Sequence, residues 1–192
     1  MNYLAHAYLS FERPAILVGN MISDYVKGKA KFDYPEDIQA GIAVHRAIDE
    51  FTDFHPVTQQ AKMFFRPQYR LYSGAFVDIV YDHFLANDIL QFSNEHELLD
   101  FSQRTYSVLE NYQQYFPYPF SRMFPFMRSQ NWLYHYREEQ GIKNSFEGMV
   151  RRAKYLHESE VAFQIFKTNY MDLQSCYQRF FPELKTFIQS LD

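Results

Sequence analysis

Pro35-Glu36-Asp37-Ile38-Gln39-Ala40-Gly41-Ile42-Ala43-Val44-His45-Arg46-Ala47-Ile48-Asp49-Glu50-Phe51-Thr52-Asp53-Phe54 reads as one long helix that carries ionisable groups on its apolar face. Pro35 presets the backbone for a first turn, and Glu36 and Asp37 sit where the helix dipole favours anions. At about 100° per residue, with His45 as origin, Ile38 falls about 20° away, Asp49 about 40°, Ile42 about 60° and Asp53 about 80°. The imidazole and both carboxylates therefore share a face with isoleucines. A carboxylate on such a face is costly unless it is paired or bound to a cation.

The same test on the helix expected over residues 70–87 gives the same result. With Asp78 as origin, Leu71 lies about 20° away, Asp82 about 40° and Ala75 about 60°, with Gly74 and Leu85 close on the other side. Two acids one turn apart thus sit among apolar and very small residues, which leave room for an ion and a substrate. His83 lies on the flank of that face. In a helix expected over 14–27, opened by Pro14 and stopped at Gly28, Asp24 shares a face with Asn20, Leu17 and Met21. Three helices each turn a carboxylate inward. Like charges converging at low dielectric repel, and a divalent cation relieves that repulsion.

The rest of the chain supports an all-α reading. Further helices are expected after Pro56, over about 93–115 with Ser93 or Asn94 as cap, over 142–158, and over 160–190 with a bend at Pro182. Residues 119–138 read as a helix kinked or broken by Pro119 and Pro125. No period-2 strand pattern appears, and only 6 Gly and 8 Pro argue against a loop-rich fold. The length of 192 residues suits a single compact helical bundle spanning 1–192. Rings are abundant, with 20 Phe, 16 Tyr and 1 Trp, enough to build a core from few residues. A formal charge of −4 gives no reason to expect nucleic acid as a partner. The single cysteine, Cys176, excludes an internal disulfide and any multi-cysteine zinc site. No apolar run approaches the roughly 20 residues of a membrane span, and the N-terminus lacks the basic start of a signal peptide, so the expected compartment is the cytoplasm.

Imidazole with several carboxylates suits Mn²⁺, Fe²⁺ or Mg²⁺, and Zn²⁺ less obviously. Such an ion polarises a phosphoryl oxygen and activates water. Arg46, beside His45, offers a forked donor set to a phosphate oxygen. Taken singly, these residues have plainer roles: Asp49 or Asp53 as a surface acid, His45 as a hydrogen-bonded core histidine, and Asp78 with Asp82 as ion-pair partners of Arg70 or Arg46. Their combination on three inward faces favours a metal site. His6 is open between a wall of that site and a structural role. His55, before Pro56, reads as a turn residue; His96, His135 and His157 as surface groups; Cys176 as a small core residue.

Several of these stretches also resemble a known family. Met1-Asn2-Tyr3-Leu4-Ala5-His6, Gly19-Asn20-Met21-Ile22-Ser23-Asp24-Tyr25-Val26-Lys27-Gly28, Gly41-Ile42-Ala43-Val44-His45-Arg46-Ala47-Ile48-Asp49, Phe51-Thr52-Asp53 with His55-Pro56, and Asp78-Ile79-Val80-Tyr81-Asp82-His83-Phe84-Leu85 are similar, in order, to acyl carrier protein phosphodiesterases. Gln130-Asn131-Trp132-Leu133 with Tyr136-Arg137 extends the likeness more loosely. The family is regarded as a divergent branch of the HD-type metal-dependent phosphohydrolases, which are all-helical. The usual order in those proteins is His followed by Asp; here the pair Asp82-His83 is reversed. The resemblance implies Asp24, His45, Asp78, Asp82 and His83 as metal-site residues, with Asp49 and Arg46 as their partners. It implies hydrolysis of the phosphodiester between a carrier-protein serine and 4′-phosphopantetheine, with Mn²⁺ as the usual ion and holo acyl carrier protein as substrate.

Two other readings compete. One is an HD-type phosphohydrolase acting on a nucleotide or other small phosphoester, which an orthodox His-Asp pair would favour. The other is a non-catalytic helical module that binds carrier protein or phosphopantetheine, with the acids reduced to structural ion pairing. An acidic carrier protein calls for a basic partner surface, and Arg122, Arg128, Arg137, Lys143, Arg151, Arg152 and Lys154 form the one clearly basic stretch; a solvated helix face is the alternative. The run Tyr115-Phe116-Pro117-Tyr118-Pro119-Phe120 reads as core packing before it reads as a path for the pantetheine arm.

Overall fold

In a computed structural model of the chain, which describes residues 1–191, helices follow one another with no strand among the described residues. They are α1 (Tyr3–Tyr8), α2 (Pro14–Ile22), α3 (Glu36–Phe54), α4 (Pro56–Tyr69), α5 (Ser73–Ala86), α6 (Glu95–Glu110), α7 (Tyr118–Ser129), α8 (Trp132–His135), α9 (Glu139–Arg152), α10 (Glu160–Thr168) and α11 (Tyr170–Gln189). None is long and apolar enough to cross a membrane among the described residues.

α3 starts where expected, with extended Pro35 before it and Glu36 and Asp37 in its first turn. It buries Ile38, Gly41, Ile42, His45, Ile48 and Thr52, the stripe that its periodicity predicts. α2 crosses it at backbone contact. A Cβ on Gly19 would stand 2.1 Å from the carbonyl oxygen of Ile38, and one on Gly41 would stand 2.4 Å from that of Ile16. Any side chain at either glycine would hold the two helices apart. α5 is the central element, buried without a break from Ile79 to Ala86. Around it lies a core of rings, with Phe65, Phe76, Tyr81, Phe146, Phe166 and Phe180 fully buried; each contributes about 1.5–3 kcal/mol on transfer from water. Phe116 packs edge to face on Phe120 and Phe124, so the aromatic run reaches the core through Phe120, while Tyr118 is exposed.

Four boundaries depart from the sequence reading. α2 ends at Ile22 and passes into a 3-10 turn over Ser23–Tyr25, which carries Asp24 out to the surface. α5 begins at Ser73, because Arg70 adopts φ 45° and ψ −115° and a 3-10 turn intervenes. Leu71 is consequently 98% exposed and not on the inward face. The region 119–138 breaks at Asn131, in the left-handed conformation, and not at a proline. The expected helix over 160–190 is two helices meeting at Asn169, which ends α10. At α6 the cap is Asn94, whose side chain accepts from the amides of His96 and Glu97. Glu97 reaches back to the Ser93 amide at 2.7 Å, extending the N-terminal capping network.

Candidate metal centre

The close crossing of α2 and α3 places Asn20, completely buried, beside His45 and next to His6 of α1. Asn20 Nδ2 donates to the His6 carbonyl at 2.8 Å and to Ser10 Oγ at 3.1 Å. Its amide orientation is fixed by those acceptors, so Oδ1 faces His6 Nδ1 at 2.7 Å and accepts its proton. The backbone carbonyl of the same residue accepts from His45 Nδ1 at 2.8 Å. One asparagine thereby fixes both tautomers, with the proton on Nδ1 and Nε2 turned the other way.

Both Nε2 atoms point at carboxylates. His6 Nε2 is 3.3 Å from Asp49 Oδ1, and His45 Nε2 is 3.0 Å from Asp49 Oδ2 and 3.2 Å from Asp24 Oδ1. The rings stack at 4.0 Å between centroids. One donor atom each from His6, His45 and Asp49 falls within a 4.8 Å cluster, a spacing that suits a shared ion. Both histidines are buried, Asp49 is half-buried, and the Asp24 carboxylate is 64% exposed, so the centre opens to solvent on the Asp24 side. Burial and the adjacent ring push His6 down to about 4. Burial also opposes charge on His45, but Asp24 and Asp49 outweigh it and hold the pKa up at about 9. For Asp49 the effect of burial is outweighed by both imidazoles, which keep it below the usual carboxylate range. Asn20 takes the hydrogen bond from His6 Nδ1, so Nε2 is the ring atom turned to Asp49, within reach of the same point as His45 Nε2.

The other residues singled out from the sequence occupy distinct places. Asp78 lies one step away: the buried Met1 ammonium is 3.1 Å from Asp78 Oδ1 and 3.7 Å from Asp49 Oδ1, linking the two acids. Burial raises the Asp78 carboxyl. Asp82 lies under α1, where Oδ1 accepts from the amides of Asn2 and Ala5 and Oδ2 from Leu4 at 2.7 Å. Burial pushes it up to about 7, against the pull of those amides. His83 turns to the opposite flank and donates from Nδ1 to the Tyr136 carbonyl at 2.8 Å, with the Tyr170 hydroxyl at its Nε2. The structure thus gathers Asp24, His45 and Asp49, and leaves Asp82 and His83 outside that group. Arg46 is exposed and donates to the carbonyl of Val26, two residues on from Asp24. Asp53, exposed, pairs with Lys62 at 2.8 Å.

His6, which sequence reasoning left open, stands at the middle of the cluster. The signal was present: an imidazole inside the apolar run 4–9 meets the same desolvation argument that selected His45. Asn20 was noticed only as a neighbour of Asp24. His55 is the cap of α4, accepting from the Val57 amide, and Cys176 is buried and free.

A family model described as acyl carrier protein phosphodiesterase matches residues 1–184. Among curated proteins, the chain is 32% identical over 192 residues to an acyl carrier protein phosphodiesterase of Photorhabdus laumondii, covering 100% of this chain and 97% of that protein. It is 32% identical over 184 residues to one of Yersinia pestis and 33% identical over 184 residues to one of Enterobacter sp., each alignment covering 96% of this chain and 95% of the relative. No solved structure matches.

Proposed function

The chain belongs to the acyl carrier protein phosphodiesterase family, and from that premise we propose that it hydrolyses holo acyl carrier protein at the His6–His45–Asp49 cluster. Water adds to phosphorus, the bond to the carrier-protein serine oxygen breaks, and that oxygen takes a proton. The products are apo carrier protein and 4′-phosphopantetheine. The observation that carries the assignment of the site is the pair of Nε2 atoms, both aimed at Asp49 and both fixed by Asn20 on the far side of the ring. Partners of this kind orient metal-bound histidines.

His6, His45 and Asp49 would hold a divalent cation, with Asp24 at the solvent edge as a further ligand. Two imidazoles with carboxylates favour Mn²⁺ or Fe²⁺ over Mg²⁺, and Mn²⁺ is our first assignment. When bound, the ion supplies Lewis acidity toward a phosphoryl oxygen and acidity to water. The protein's own groups do the positioning. Exposed Asp24 can accept a hydrogen bond from an entering water, and Arg46 can lay its fork on a phosphate oxygen. Asp82 holds the start of α1 and so sets the place of His6; His83 braces Tyr136 and Tyr170. The all-helical fold and the His/Asp centre also support the HD-type kinship.

Mass spectrometry of holo carrier protein incubated with the purified protein and Mn²⁺ tests this reading. Conversion to the apo mass, abolished by chelation and restored by Mn²⁺, is expected. Unchanged holo carrier protein across a Mn²⁺ series would exclude the assignment.

A further inference from the structure

A cavity of about 600 Å³ lies beside the N-terminal segment, bounded on one side by Asn2 and Tyr3 and on the other by α8 and α9. Its volume is in the range of small-molecule sites, about 300–1,000 Å³. Two links run from its lining toward the candidate metal centre. Asn2 follows Met1, whose ammonium reaches Asp49. The Tyr3 hydroxyl shares a 3.0 Å hydrogen bond with that of Tyr25, the residue after Asp24.

The lining combines ring faces and uncharged hydrogen-bonding groups with four charged ones, Glu138, Glu147, Arg151 and Arg152. Tyr3, Trp132 and Tyr136 supply aromatic surface. Asn2, Gln130, Asn144 and Ser145 supply amide and hydroxyl groups between them. Such a wall matches a chain in which secondary amides are separated by short aliphatic links. A purely apolar chain would strand the wall's polar groups, since a buried polar group left without a partner is costly. Gly148 leaves one side open: a Cβ there would meet only the tips of Arg152 at 3.5 Å and Arg151 at 3.8 Å, both flexible.

We propose that this cavity receives the pantetheine arm of the substrate, an uncharged amide-linked chain, while its phosphate lies at the metal centre. The inference rests on the carrier-protein phosphodiesterase reading and names where that substrate's arm is held. Arg151 and Arg152 belong to the same lining.

Trp132 is the one tryptophan of the chain, so its emission reports on the cavity without any turnover. Free pantetheine, which carries no phosphate, titrated into the wild-type protein should change that emission saturably. Gly148→Phe, which fills the opening from a helix interior, should weaken the response at least about tenfold, a loss of about 1.4 kcal/mol. Gly148→Ala should keep it. The proposal is overturned if millimolar pantetheine leaves Trp132 emission unchanged. It is equally overturned if correctly folded Gly148→Phe binds like wild type, or if inorganic phosphate reproduces the signal while pantetheine does not. Failure of holo carrier hydrolysis with intact pantetheine binding would count against the activity and not against the cavity.

Discussion

Asp82 and His83 are neighbours in the chain with opposite surroundings, so their substitutions should differ in kind. Asp82→Asn replaces one acceptor oxygen by an NH₂ group facing backbone amides. It should cost about 1–3 kcal/mol of stability and loosen α1, with turnover recovering at high Mn²⁺. His45→Ala removes an Nε2 from the centre itself, and should abolish turnover at any Mn²⁺ concentration and make melting insensitive to Mn²⁺. Thermal melts combined with Mn²⁺-dependent activity separate the two. His83 gives a pH prediction. Burial lowers its pKa, so the unfolded chain takes up this proton first, at about 6.5. Its contribution to stability is present above that value and is lost as pH falls through the lower folded pKa. Denaturant midpoints should therefore drop on acidification, and His83→Gln should show a shallower drop than wild type.

Element by element, the sequence was readable where a period or a cap specifies a helix, and unreadable where a single backbone angle ends one. The α3 stripe, the Asn94 cap and the proline starts of α2 and α4 carry local signals. The turn at Arg70 does not. Its φ of 45° costs about 1–3 kcal/mol. That turn is why Leu71 leaves the face that the 70–87 periodicity gave it. The metal-centre residues on α3 could be read because one helix carries them. His6 shows in the sequence only as an imidazole inside an apolar run; that it meets His45 depends on α1 lying against α2. The three backbone amides that Asp82 accepts from leave no mark on a sequence pattern either. The Gly19–Gly41 crossing offers a test at this scale. Gly41→Ala would press a methyl against the Ile16 carbonyl, costing about 1–3 kcal/mol or more by overpacking. It should also weaken Mn²⁺ binding, because parting α2 from α3 draws the Asn20 carbonyl off His45; calorimetric titration and melting would read the two effects together.

For the molecule as a whole, the basic stretch 122–154 looks different once folded. Arg128 pairs with Glu110, Arg137 with Glu95 and Lys143 with Glu160, so acids from elsewhere in the chain neutralise much of it. Arg151 keeps only a loose 3.8 Å approach to Glu147, and with Arg152 it borders the cavity. Glu138 and Glu147 line the same cavity, which leaves Arg151 and Arg152 as the pair to test as a docking edge. Replacing both by Glu should raise the KM for holo carrier protein and flatten its dependence on ionic strength, since rim charges act mainly through association and are screened over about 8–10 Å. An unchanged salt profile would move the docking face elsewhere, with Lys27, Lys29 and Lys31 the next residues to test.

α1 is six residues long, too short to persist as a helix on its own, and it brings His6 to a cluster whose other members belong to α2's end and to α3. An ion shared by His6, His45 and Asp49 would act as a cross-link, closing a loop of chain between residues 6 and 49. Heat resistance then becomes a property of the solution as much as of the polypeptide. At free Mn²⁺ one hundred times its dissociation constant, the folded form gains about 2.7 kcal/mol. Melting temperature should climb with the logarithm of Mn²⁺ activity above that constant and fall to a floor in chelator.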